Sequence, residues 1–142
     1  MRLAGIAAAY LAAVLITTVL GAILQTQFNL AAIAQLGAPV PLDVRLDATA
    51  HDLLGFSPTF GAIVAAGFLI AFAVTAILRR WRAWSWLYPL AGGVAVLVAL
   101  QAMALIFEIT PVAAARGLGG LGALVAAGVL GGWSFWRLLP RS

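Results

Sequence analysis

The stretch PTFGAIVAAGFLIAFAVTAILRRWR, residues 58–82, decides the fold. Residues 58–78 carry no ionisable side chain, and then Arg79, Arg80 and Arg82 arrive almost together. A helix of about 20 mainly apolar residues crosses the roughly 30 Å of hydrocarbon in a bilayer. Guanidinium groups directly after such a run mark its exit into the headgroup layer. Working outward, three more runs have the same character, at about 3–24, 86–107 and 111–135. The expected fold is therefore all-α: a single integral membrane domain over residues 1–142, built as an antiparallel bundle of four transmembrane helices. Residues 25–57 form a structured outer loop between the first two spans.

Composition agrees. The chain is 65% hydrophobic and 8% charged, with a mean hydropathy of +1.13. A soluble domain has roughly 45–50% apolar and about 25% charged residues. With so little polar surface, part of the solvent must be lipid. The net charge of +4 does not indicate nucleic acid. The arginines sit at the ends of apolar runs, whereas phosphate binding needs a basic stripe on a solvated face. No cysteine is present, which excludes a thiol nucleophile, a disulfide framework and thiolate metal ligation. A single histidine excludes bis-histidine haem within one chain. No cofactor or metal is expected.

Orientation follows from the arginines. Arg2, Arg79, Arg80, Arg82, Arg137 and Arg141 fall on one side of the four runs without an acid among them. Asp43, Asp47, Asp52 and Glu108 fall on the other, with Arg45 and Arg116. The arginine-rich side is expected to be cytoplasmic. Both termini then lie inside and residues 25–57 outside. Trp81, Trp84, Trp86, Trp133 and Trp136 share the arginine side, where indoles favour the headgroup layer. All eight basic residues are arginine, in a chain rich in alanine and glycine. That usage points to a GC-rich bacterial genome, hence to an inner membrane. The first run could end in a signal-peptide site at Ala32-Ile33-Ala34, but it exceeds the usual core of about 7–15 residues. It is read as a retained span.

Local signals set the boundaries. Ser57-Pro58 and Thr110-Pro111 each offer a hydroxyl as N-cap and a proline at the first helical position. In the outer loop, Asn29 is placed as the cap of a short helix over 30–36, closed by Gly37. Pro39 and Pro41 force extended backbone. Leu42, Val44 and Leu46 alternate with Asp43, Arg45 and Asp47, the period of a short strand. A helical turn follows over 49–54. The loop is too apolar to lie free in water. It is expected to serve as a lid on its own bundle or to dock a partner subunit or an interfacial lipid.

Within the spans, small residues let backbones approach closely. Gly119, Ala123, Ala127 and Gly131 form a helix-packing stripe in the fourth run. Three-residue echoes, Leu3-Ala4-Gly5 with Leu90-Ala91-Gly92, hint at a duplicated hairpin.

Candidate chemistry is sparse. Asp47, His51 and Asp52 cluster in the outer loop, and Asp47 could orient the His51 imidazole at helical spacing. No nucleophile of fitting context accompanies them. Glu108 and Arg116 flank the last turn and would close it as an ion pair. Gln101, Thr17 and Thr18 are polar groups inside spans, expected to hydrogen-bond between helices. A carboxylate at mid-depth, which proton-coupled transport would need, is absent from the runs. Catalysis is not expected. The reading is an accessory or structural subunit whose partners are the bilayer and other membrane proteins, or a second copy of itself. A carrier or channel for an apolar or lipidic compound is the alternative, and an enzyme acting at the outer membrane surface through His51 and Asp52 is the third reading.

Overall fold

The computed structural model describes residues 1–108 and 112–141. Among these there are helices and no strands. The order is α1 (Arg2–Gln35), α2 (Leu42–Gly55), α3 (Ser57–Leu78), α4 (Leu87–Phe107), a 3-10 turn (Ala113–Arg116) and α5 (Leu118–Leu138). Four of them, α1, α3, α4 and α5, are long and apolar enough to cross a membrane. At 1.5 Å per residue, α3 to α5 measure roughly 32 Å, which matches the hydrocarbon core. With 34 residues α1 is longer, roughly 51 Å, so it overshoots the core by several turns. These features fit a small integral membrane protein.

The four long helices close a ring of contacts: α1 packs on α3 and α5, and α4 packs on α3 and α5. Close approach is greatest between α4 and α5. A Cβ placed on Gly128 would stand 2.5 Å from the carbonyl oxygen of Gly92, so only glycine admits this crossing. The ring's interior is filled by side chains. Phe68, Leu124 and Ala13 are fully buried, and Thr17 with them. Toward the arginine end, Phe72 stacks on Phe135 at 4.4 Å and meets Tyr88 edge-on at 5.8 Å. The outward faces carry Leu69, Ile70, Val98, Leu105 and Ile106, exposed as lipid-facing residues must be.

The arginine end is laced with aromatic partners. Arg79 lies over the Tyr88 ring, Arg82 over Trp84 and Arg137 over Trp133, at 4.9–5.5 Å. Such pairs set a cation against the electron-rich face of an aromatic ring.

Several sequence expectations need correction. The chain over 42–46 is not a strand; it opens the 14-residue helix α2. Pro41 has extended backbone as the N-cap and Asp43 sits in the first turn, where an acid complements the helix dipole. Asn29 caps nothing, because α1 runs through it without a break to Gln35. The helix does stop at the turn holding Gly37, whose φ of +89° is a left-handed conformation natural to glycine. Ser57 is not an N-cap: Phe56 holds that position, and the Ser57 hydroxyl is buried with no partner. Pro58 does fall in the first turn. The Thr110-Pro111 boundary lies outside the described residues. The last long helix begins at Leu118, not 111, because the alanine run ahead of it winds into the 3-10 turn and Gly117 is extended. Arg116 therefore belongs to that turn.

Candidate functional site

Polar side chains gather at the end of the helices opposite Arg2, Arg79 and Arg141. Gln25, Thr26 and Gln27 occupy consecutive positions on α1, about 100° apart, and each reaches a different partner. Gln25 Oε1 accepts the backbone N–H of Ala114 at 2.8 Å and so anchors the 3-10 turn. The Thr26 hydroxyl lies 2.7 Å from Asp52 Oδ2 on α2 and 3.0 Å from the Ala22 carbonyl. Gln27 Oε1 accepts from Arg45 Nη1 at 2.6 Å, and its amide donates to Thr49 Oγ1 at 3.1 Å. Thr49 in turn donates to the Arg45 carbonyl at 2.7 Å. This triplet straps α2 and the 3-10 turn to the projecting part of α1. Sequence reasoning missed it. The available signal was three adjacent polar residues interrupting an otherwise apolar run.

The candidates named from sequence separate. Asp47, His51 and Asp52 all lie on α2. Asp47 and His51 are exposed, whereas Asp52 is half-buried and engaged with Thr26. Its carboxylate is thus committed to α1 and turned to a structural task. Among the described residues, no group of three histidine, cysteine, aspartate or glutamate side chains converges as metal ligands would. Glu108 ends α4 in a left-handed conformation, φ 55°, and Arg116 closes the 3-10 turn.

Gln101 does not bridge helices. It lies on the outward face of α4, and no hydrogen bond reaches its amide among the described residues. Its neighbours on that face are Val94, Leu97, Val98 and Leu105, all exposed. Thr17 does bridge, donating to the Ala127 carbonyl at 3.3 Å. Thr18 is buried against Gly61, with its hydroxyl unpartnered. The Tyr10 hydroxyl donates to the Ala65 carbonyl and ties α1 to α3.

On α5, Ala127 and Gly131 are buried, Ala123 is half-buried and Gly119 is exposed near the Phe28 ring. Gly131 faces Thr17 and Phe68. The neighbouring row of Gly128 and Gly132 lies on the backbone of α4.

Comparison of the chain with protein-family models, with curated proteins and with solved structures found no match. Function must therefore be argued from the geometry alone.

Proposed function

We propose that this chain is an accessory or structural subunit of a membrane protein assembly. It would sit in a bacterial inner membrane as an antiparallel four-helix bundle with cytoplasmic termini. The observation that carries the reading is the Gln101 amide, presented outward from α4 among Val94, Leu97, Val98 and Leu105. It lies roughly 9 Å inside the end of that helix. In hydrocarbon an unsatisfied amide is costly, and polar groups within spans normally face protein. A neighbouring transmembrane helix supplying a hydrogen-bond partner removes that cost. The exposed apolar residues of α2, Leu42, Leu46 and Leu54, add a second surface at the same end for a partner or for the lipid interface.

The carrier reading has less support. A pathway along the bundle axis would have to pass Phe68, Leu124 and Thr17, which fill mid-depth. Nor does Gln101 line the interior. The enzyme reading is weaker still, since His51 is exposed and Asp52 is engaged in holding α2.

The test is extraction in mild detergent followed by native electrophoresis of wild type and Gln101→Leu. The wild type is expected to migrate with companion subunits, and Q101L to lose them while keeping its helical content by circular dichroism. A wild type that runs as a bare monomer, or a complex indifferent to Q101L, contradicts the proposal.

A further inference from the structure

Two cavities at the arginine end have complementary chemistry. The first, 420 Å³, is lined by Arg2, Arg79 and Arg141 together with Trp136 and Pro140. The start of α1 and the segments just after α3 and α5 thus bring three arginines to one opening. The chain's four acidic side chains are Asp43, Asp47 and Asp52 on α2 and Glu108 at the far end of α4, so none neutralises this cluster. Like charges brought together this way repel, and they call for an anion between them. Arg79 shows the same deficit locally: its Nε is buried and has no hydrogen-bond partner, although the guanidinium lies over Tyr88.

The second cavity, also 420 Å³, is almost wholly apolar and runs between α1 and α3. The exposed Leu3, Ala7, Leu69 and Ala73 line it together with the buried Phe72 and Phe135. The Tyr10–Ala65 hydrogen bond pins the two helices near its base. Ile6 and Leu139 line both cavities, so the cationic opening and the apolar groove meet along one edge.

We propose that this pair of cavities is a binding site for an anionic phospholipid. The headgroup phosphate sits among Arg2, Arg79 and Arg141, and an acyl chain lies in the groove between α1 and α3. Arginine suits the task because its planar fork donates two parallel hydrogen bonds to phosphate oxygens. Basic pockets between transmembrane helices take anionic headgroups by this means. A free phosphate ion would use the first cavity and leave the apolar groove unexplained; a lipid accounts for both. The site goes beyond the subunit role proposed above and does not depend on it.

The test is native mass spectrometry of the purified chain from mixed micelles. Phosphatidylglycerol and phosphatidylcholine with identical acyl chains are offered in equal amounts. The expected result is one retained phosphatidylglycerol, favoured about tenfold over phosphatidylcholine. The double variant R2Q/R79Q should lose this preference, and Arg137→Gln should keep it. Ala73→Phe, at an exposed position in the groove wall, should weaken retention of the lipid even if the arginine variants fold poorly. Equal retention of both lipids, or an R2Q/R79Q protein with its preference intact, overturns the proposal. So does displacement of the lipid by millimolar inorganic phosphate, which would reduce the site to an anion pocket. Retention unchanged in A73F overturns the placement of the acyl chain.

Discussion

The Thr26 hydroxyl on α1 and the Asp52 carboxylate on α2 meet at 2.7 Å, and this contact helps hold α2 against α1. The two partners are not equivalent. Thr26 has a second acceptor in the Ala22 carbonyl at 3.0 Å, whereas no other hydrogen bond reaches the Asp52 carboxylate among the described residues.

That asymmetry sets the first prediction. Thr26→Val leaves a half-buried carboxylate without its donor and should cost about 1–3 kcal/mol. Asp52→Ala lets Thr26 fall back on Ala22 and should cost less, about 1 kcal/mol. The double variant should then be more stable than the sum of the single losses implies. Unfolding in detergent, followed by circular dichroism across the four proteins, measures this. Additive losses would mean that the two residues act independently.

Glycine positions on α5 should respond in opposite directions. At Gly128 any Cβ collides with the Gly92 backbone, so Gly128→Ala must push α4 and α5 apart. A cost of about 1–3 kcal/mol is expected, as for other overpacked sites. At Gly122 nothing lies within 4 Å of the added methyl. Gly122→Ala should be neutral or stabilising by up to about 1 kcal/mol through helix propensity. The same unfolding assay separates them, and equal behaviour would refute the close crossing.

Gly37 tests the end of α1. Its φ of +89° suits glycine alone, while nothing surrounds a Cβ placed there. Gly37→Ala should therefore cost about 1 kcal/mol through backbone strain and not through packing. Hydrogen exchange should show faster opening confined to the end of α1 and the start of α2. Unchanged protection there would argue that this turn is not held in the left-handed form.

The sequence made the spans legible because lipid imposes one constraint on every turn of a crossing helix. Apolar runs, ended by Arg79-Arg80 or by Arg137, mark the four long apolar helices, although α1 runs on to Gln35 and α5 starts only at Leu118. The stretch 42–46 is ambiguous for a different reason. Over five residues, Leu42, Val44 and Leu46 fit a period of two. Over the whole segment, Leu42, Leu46, Thr49 and Leu53 fit a helix equally well. Partners on α1 decide between the periods: Thr26 and Gln27 can reach Asp52, Arg45 and Thr49 together when these share a helical face. The late start of α5 has a similar origin. Its alanine run has high helix propensity, but the Ala114 N–H is taken by Gln25 from a distant segment. Gln101 could be identified as exceptional from sequence, yet whether it faces inward or outward depends on how α4 is rotated, which close contact of Gly92 with Gly128 determines.

The chain has no cysteine, so single-cysteine variants carry no background. Asp47→Cys and Arg80→Cys place a thiol at exposed positions on α2 and just after α3. A membrane-impermeant maleimide is applied to intact cells, and again after permeabilisation. D47C should react in intact cells, and R80C only once the membrane is opened. Labelling of R80C from outside, or of both sites alike, would contradict a four-span bundle with its arginines on the inner surface.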